Sequence, residues 1–161
     1  MFQENPIIRI ANALVTVSID DFDSRLKLQK IGFLAQEMGA DIGFTFNWYR
    51  RGPYSPSLTR TLYSAEELGL LKMTNPQLSA SEKKIADDLR ELLGEDLENP
   101  KALELIASVW YLVPGIPQQK EAKEQALDAL LEQKPQFTRD ELREALGRVA
   151  SFREKHEKPR S

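Results

Sequence analysis

Four basic side chains have the chemistry to form an anion-binding patch: Lys30, Arg50, Arg51 and Arg60. Ammonium and guanidinium groups bind carboxylates and phosphates through charge-assisted hydrogen bonds. These side chains belong to a segment, residues 25–63, that has six basic and two acidic residues, whereas the whole chain has a formal net charge of -3. A basic segment in an acidic chain favours an anionic partner. We nevertheless prefer the simpler interpretation, a solvated turn with structural arginines, because two adjacent arginines are weak evidence alone.

The segment after Pro56 could supply the recognition helix of a DNA-binding protein. Its outward side chains would include Ser57, Thr59, Arg60 and Tyr63. Such residues contact phosphates and base edges in the major groove. Glu66 and Glu67 follow at once and would repel the DNA backbone, and the turn at Asn75 and Pro76 is poor in basic residues. DNA binding is therefore the second hypothesis.

Tyr54 lies within a Gly-Pro-Tyr-Ser-Pro sequence, residues 52–56, that predicts a tight turn. The turn would present Tyr54 beside a helix N-terminus, where free N–H groups bind anions. The structural alternative is that Gly52 and the prolines fix the turn while Ser55 caps the helix. We prefer this alternative, because every residue already has a conformational role.

The chain lacks the residues of the common catalytic and metal sites. It has no cysteine, and His156, near the C-terminus, is its single histidine. Thiolate catalysis and cysteine-ligated zinc are thus excluded, and a histidine-dependent triad is disfavoured. The acidic residues around Asp87 and Asp88 alternate with apolar positions and lysines, as on a solvated helix face. The sequence therefore predicts no enzyme, no catalytic residue, no metal and no cofactor.

The elements that would position these side chains follow from apolar spacing. Helices are predicted after Asn5-Pro6, after a cap at Asp23 or Ser24, and after Ser55-Pro56. Phe44, Phe46 and Trp48 alternate with polar residues and predict a strand over residues 44–49 with one buried aromatic face. This face would also suit base stacking, as in RNA readers, although a buried sheet face is commoner. Residues 70–73 predict a short strand, and Gly32 suggests close approach of another backbone to the second helix.

The second half of the chain is predicted to be helical. Ser79 with Glu82, and Thr138 with Glu141, have the spacing of capping boxes. The most hydrophobic helix starts at Asn99-Pro100, is apolar nearly all round and should be buried, with the core completed around Trp110. Polar residues from 154 to 161 predict a flexible tail.

Several motifs within residues 26–72 together resemble a known family. They are the Lys-Leu-Gln-Lys sequence of residues 27–30, the aromatic residues Phe46, Trp48 and Tyr49, the turn sequence of residues 52–56, and the Glu-Leu-Gly-Leu-Leu sequence of residues 67–71. This order is similar to that of YwgA-like proteins and the related Panacea, or SocA-like antitoxin, domain. The resemblance implies a winged-helix-like fold and a regulatory or interaction role, with toxin neutralisation in the Panacea relatives. It brings no catalytic residues.

We therefore expect a mainly α protein, α+β with a small antiparallel sheet. One domain should cover residues 1–153, with a winged-helix-like N-terminal half (22–78) and a helical extension (79–153). The expected function is non-enzymatic binding of a partner protein, for instance a toxin; the alternative is a winged-helix DNA-binding regulator, and a homodimer is compatible with either. No apolar run approaches the roughly 20 residues that span a bilayer, and the N-terminus is acidic, so no membrane association and a cytoplasmic location are expected.

Overall fold

The computed structural model describes residues 5–156, which are mainly helical with one small sheet. The chain divides into two compact units after Glu104. This confirms the predicted fold class, mainly α with a small antiparallel sheet. The assignment of residues 1–153 to one domain stays a prediction. Among the described residues, no helix is both long enough and apolar enough to cross a membrane.

The first unit contains four complete helices and a β-hairpin. The helices are α1 (Pro6–Leu14), α2 (Phe22–Glu37), α3 (Pro56–Glu67) and α4 (Ala80–Leu93), and the strands are β1 (Asn47–Tyr49) and β2 (Gly52–Tyr54). A 3-10 helix, Gly94–Glu98, and the start of α5 (Pro100–Leu112) complete the unit. The division of the chain falls within α5.

Local capping explains where most helices begin. Asn5 accepts a hydrogen bond from the Ile7 N–H (3.0 Å) and Ser55 accepts one from the Leu58 N–H (3.3 Å), as predicted. The predicted cap at Asp23 or Ser24 is wrong, because α2 begins two residues earlier than Ser24. Asp21 is the cap, and its carboxylate accepts a hydrogen bond from the Ser24 N–H at 2.7 Å.

Helix α2 is central to the first unit, since it contacts α1, α3, α4 and β2. Nine of its sixteen residues are buried, including the polar side chains of Gln29 and Lys30. Gly32 faces Leu58 of α3. A Cβ atom built on Gly32 would lie 2.7 Å from Leu58 Cδ2, so a larger residue here requires the Leu58 side chain to shift. The predicted approach of another backbone is wrong, because the three nearest atoms belong to the side chains of Leu58, Phe46 and Ile7.

The β-hairpin differs from the predicted strands in its position. Asn47 pairs with Tyr54 and Tyr49 with Gly52, so Arg50 and Arg51 form a two-residue loop. The strand thus begins at Asn47 rather than Phe44. Gly52–Tyr54, which was predicted as part of a turn, forms the second strand. Its first residue, Gly52, has a positive φ of 94°. The predicted alternation holds nonetheless, with Phe44, Phe46 and Trp48 half-buried and the residues between them exposed.

The strand predicted for residues 70–73 is wrong. These residues form an irregular connection between α3 and α4, and both strands of the sheet precede α3. Leu71 is buried there, and its carbonyl accepts a hydrogen bond from Asn12 Nδ2 at 2.9 Å. Leu71 is therefore apolar because its side chain is buried, although it is not part of a strand.

The second unit contains α6 (Lys120–Gln133), α7 (Arg139–His156) and the C-terminal part of α5. Thr138 and Glu141 form the predicted capping box at the start of α7. Trp110 is half-buried rather than at the centre of a core, and its ring packs against Phe152 with centroids 5.9 Å apart. The tail predicted from residue 154 begins too early, because α7 extends to His156; residues 157–161 lie outside the described part of the chain.

Candidate functional site

A pocket of about 360 Å³ lies in the first unit between α2, the β-hairpin and α3. It brings together six of the eight side chains that the sequence singled out. These are Lys30, Arg50, Arg51, Tyr54, Thr59 and Tyr63. The remaining walls come mainly from the apolar residues Ile19, Leu26 and Leu62 and from two further aromatic residues, Phe22 and Tyr49.

One face of α2 provides a wall of the pocket. Phe22, Arg25, Leu26, Gln29 and Lys30 all line it. Their spacing of three, four, seven and eight residues places them on the same side of a helix with 3.6 residues per turn. The pocket wall is therefore a direct consequence of the helix that starts at Phe22.

Gln29 connects α2 to the start of α3. Its side-chain oxygen accepts a hydrogen bond from the Ser55 N–H (2.9 Å), and its Nε2 donates to the Ser55 carbonyl and to Thr59 Oγ1, each at 2.9 Å. Tyr54 completes the network by sharing a hydrogen bond of 2.9 Å with Thr59 Oγ1. Because Gln29 is buried, these bonds fix the orientation of the Tyr54 ring at the pocket.

Lys30 connects α2 to the hairpin. Its side chain is 1% exposed, and Nζ donates a hydrogen bond of 2.6 Å to the Pro53 carbonyl. A buried ammonium group is tolerated only when it is well hydrogen-bonded, so this contact is structurally important. Lys30 thus positions the hairpin in addition to contributing positive charge to the pocket.

Aromatic side chains at the pocket are unusually exposed. Of the five large hydrophobic side chains that are exposed among residues 5–156, three line this pocket: Phe22 (50%), Tyr49 (45%) and Tyr63 (46%). Tyr49 packs edge-on against Tyr54 with ring centroids 5.2 Å apart. Arg51 lies over the ring of Phe22, 5.4 Å from its centroid, within the range of a cation–π interaction.

The charges that line the pocket all have one sign. Arg25, Lys30, Arg50 and Arg51 contribute to its surface, and no aspartate or glutamate does so among the described residues. The side chain of Arg25 donates a hydrogen bond from Nη1 to the Ile19 carbonyl (2.9 Å). Arg51 lies 3.8 Å from a carboxylate oxygen of Glu104, too far for a hydrogen bond. The site is therefore a cationic, aromatic pocket in a chain of net negative charge.

Asp21 precedes the pocket residue Phe22 but does not line the pocket. The backbone N–H of Ser24 donates a hydrogen bond to its carboxylate, and this bond holds the pKa of Asp21 below its usual value. The carboxylate is thus ionised at neutral pH and occupied as the cap of α2. It serves the helix and not the pocket surface.

Ser57 and Arg60 are the two predicted site residues that the pocket does not include. Both are on α3, but their positions lie to the side of the face formed by Thr59, Leu62 and Tyr63. Ser57 Oγ instead shares a hydrogen bond of 2.9 Å with Ser55 Oγ, and Arg60 is exposed. A single helix face cannot present all the residues selected from the sequence.

Among the polar and aromatic residues that line the pocket, four were not predicted as site residues: Phe22, Arg25, Gln29 and Tyr49. The signal for three of them was present, since Phe22, Arg25 and Gln29 share helical spacing with Lys30. Tyr49 was assigned to the exposed side of its strand. Tyr49 is indeed exposed. The strand pattern alone, however, does not predict that the chain reverses after Tyr49 and brings Tyr54 beside it.

The other charged clusters are explained by surface ion pairs. On α4, Asp87 pairs with Arg90 (3.0 Å) and Asp88 with Lys84 (2.9 Å), which agrees with a solvated face. Within the described part of the chain, no three histidine, aspartate or glutamate side chains come together as a metal site. A cavity of about 440 Å³ in the second unit is lined by side chains of both charges and contains none of the predicted residues.

Comparisons of this chain with protein-family models, curated proteins and solved structures give no significant match. The resemblance to YwgA-like and Panacea proteins therefore stays a prediction from the motifs of residues 26–72.

Proposed function

We propose that this protein is a non-enzymatic interaction module, which binds a partner protein at the cationic, aromatic pocket. The observation that carries the proposal is the clustering of exposed Phe22, Tyr49 and Tyr63 around arginines on one surface. Tyrosine and arginine are enriched among the residues that dominate binding energy at protein interfaces. The partner surface that suits this pocket carries acidic residues beside an apolar or aromatic side chain, as in an antitoxin-like pairing with a toxin.

Pre-organisation of the site supports the same proposal. Gln29, Lys30 and Thr59 hold the hairpin and α3 by hydrogen bonds that are buried or partly buried. A rigid surface loses little conformational entropy when a partner binds, which leaves more of the contact energy for affinity. The pocket therefore has the physical character of a binding site without requiring any reaction.

The test is affinity purification of the tagged full chain from its native cells, with and without nuclease, as wild type and as Tyr49→Ala/Tyr63→Ala. We expect a stoichiometric protein to be retained by the wild type after nuclease treatment and lost from the double variant. Both side chains are nearly half exposed, so the substitutions should leave the fold intact. Retention that is equal in the wild type and the double variant would refute the proposed surface.

Tyr111→Ala is the matched control for the aromatic substitutions. Tyr111 is also an exposed aromatic residue (37%), but it lies on α5 outside the pocket. It should retain the partner to the same extent as the wild type. A loss shared by Tyr111→Ala would mean that aromatic exposure in general, rather than this pocket, captures the protein.

DNA binding is the second proposal, supported by the outward position of Arg60 on α3 and by the basic segment of residues 25–63. Glu66 and Glu67 on the same helix oppose it, as does the irregular connection that occupies the place of a strand after α3. It predicts salt-sensitive binding to duplex DNA that weakens in Arg50→Glu/Arg51→Glu/Arg60→Glu. Binding that is unchanged in this triple variant would reject the α3 surface as a DNA-binding site.

A further inference from the structure

We propose that the same pocket also binds a free small molecule, an aromatic monocarboxylate. This inference goes beyond partner binding, because it concerns the isolated chain and requires no second protein. It is drawn from the size, wall chemistry and charge of the pocket.

The size and walls suit a ligand of about one aromatic ring. The volume of about 360 Å³ lies near the lower end of the range of roughly 300–1,000 Å³ that is usual for small-molecule sites. Leu26 and Leu62 are buried and provide apolar walls. Tyr49 and Tyr54 already show the edge-to-face arrangement that a further ring can join.

The charge of the ligand follows from the guanidinium groups. The side chain of Arg25 donates a hydrogen bond through Nη1 alone, and Arg51 makes no hydrogen bond within the described part of the chain, so both have N–H groups to offer a carboxylate. Glu104, 3.8 Å from Arg51, offsets part of the positive charge without lining the pocket. A guanidinium group can bind both oxygens of a carboxylate through two parallel hydrogen bonds, so a carboxylate attached to the ring is the group that these two arginines suit.

The direct test is titration of the isolated full chain with three compounds of equal size by isothermal calorimetry. Phenylacetate carries the carboxylate, phenylacetamide is its neutral analogue, and phenethylamine is a cation. We expect phenylacetate to bind about tenfold or more tightly than phenylacetamide, because charge-assisted hydrogen bonds replace neutral ones, and phenethylamine not to bind. Equal affinity for the three compounds, or no binding of phenylacetate, would overturn the inference.

Two variants separate the pocket charge from the general charge of the surface. Arg51→Gln removes a guanidinium from the pocket and should weaken phenylacetate binding about fivefold or more; Arg60→Gln removes an exposed guanidinium of α3 outside the pocket and should have no effect. Arg51 has 59% of its side chain exposed, so its replacement should not prevent folding. An equal loss in the two variants would contradict the site.

A fourth compound distinguishes a free ligand from a protein terminus. N-acetyl-phenylalanine presents the same ring and carboxylate as the last residue of a partner chain. Tighter binding of this compound than of phenylacetate would overturn the free-ligand inference and assign the pocket to a C-terminal segment. A partner captured at the pocket without any phenylacetate binding would also overturn it, while the proposed interaction module would stand.

Discussion

Gly32 occupies the point on α2 where a side chain of any other residue would meet Leu58. Leu58 is fully buried on α3, and its Cδ2 would lie 2.7 Å from a Cβ atom on Gly32. The same Cβ atom would be in ordinary van der Waals contact with the ring of Phe46, at 3.6 Å, so Leu58 is the neighbour that must move. A side chain at residue 32 would therefore disturb the packing of α2 against α3, the two helices that form walls of the pocket.

Gly32→Ala should lower the free energy of unfolding by about 0–2 kcal/mol, the net of two opposing effects. The gain in helix propensity from alanine is about 1 kcal/mol, whereas overpacking a core costs about 1–3 kcal/mol. Denaturant titration followed by circular dichroism measures the change. An increase in stability would show that the two helices are not in close contact.

The matched control is Gly147→Ala in α7. Gly147 is exposed, and a Cβ atom there would meet nothing within 4 Å. With no clash to offset it, the propensity gain should raise the free energy of unfolding by about 0.5–1 kcal/mol. The opposite signs expected at two helical glycines follow from packing alone.

At the scale of elements, Arg153 of α7 caps the C-terminal end of α5. Its guanidinium donates hydrogen bonds to the carbonyls of Val113, Gly115 (2.8 Å) and Trp110 (3.1 Å), and it lies 4.4 Å from the centre of the Trp110 ring. Carbonyls at the end of a helix lack partners within that helix, so a guanidinium that reaches several of them stabilises the end. This contact organises the second unit.

Arg153→Lys should lower the free energy of unfolding by about 1–3 kcal/mol, because an ammonium group cannot reproduce the planar set of donors and Arg153 is buried. Arg143→Lys is the control. Arg143 forms an exposed ion pair with Asp140, three residues earlier in the helix, at 2.9 Å between nitrogen and oxygen, and its replacement should cost less than about 0.5 kcal/mol. Equal effects of the two substitutions would contradict the capping role.

Glu82 connects α4 to α1 and closes the capping box of α4. Its carboxylate accepts two hydrogen bonds of 3.0 Å from Arg9 while its backbone N–H donates to Ser79 Oγ at 3.2 Å. The bonds from Arg9 lower the pKa of Glu82 below the usual 4.5, although partial burial raises it, and the Ser79 backbone N–H lowers it further. A carboxyl with a lowered pKa in the folded state stabilises the fold above its unfolded pKa.

Glu82→Gln should therefore reduce the free energy of unfolding by about 1 kcal/mol at neutral pH. The difference from the parent should shrink as the pH falls below 4.5 and through the lower folded pKa, because the parent carboxylate then becomes protonated. Unfolding measured at pH 7 and pH 3 tests this. Glu67→Gln, at an exposed position, should change little at either pH, and a pH-independent effect of Glu82→Gln would contradict the role of its charge.

The starts of α1, α3 and α4 were predictable from the sequence, but the start of α2 and the ends of the strands were not. The caps at Asn5, Ser55 and Ser79 depend on side chains within three residues of the bonds they make. The hairpin instead depends on the distant Lys30, whose ammonium binds the Pro53 carbonyl, and this contact has no local signature. Gln29 was missed for the same reason, because its hydrogen-bond partners, Ser55 and Thr59, are 26 and 30 residues away in the sequence.

At the scale of the whole molecule, charge is separated along the chain. The formal net charge is -3, yet residues 25–63 have six basic and two acidic residues, and the pocket is built from residues 19–63. Long-range attraction should steer an acidic partner to this surface and should weaken as salt rises. The sequence revealed this asymmetry, but only folding shows that Arg51 lies within the pocket and Arg60 outside it.

The most direct measurement compares partner retention by the wild type, Arg51→Glu and Arg60→Glu in nuclease-treated affinity purification. Both arginines are exposed, and both substitutions change the net charge equally. Arg51 lines the pocket, however, whereas Arg60 does not. We predict that Arg51→Glu loses about nine-tenths or more of the partner and that Arg60→Glu retains it, since one unfavourable charge contact costs about tenfold in affinity. Full retention by Arg51→Glu, or an equal loss in both variants, would contradict the assignment of partner binding to this pocket.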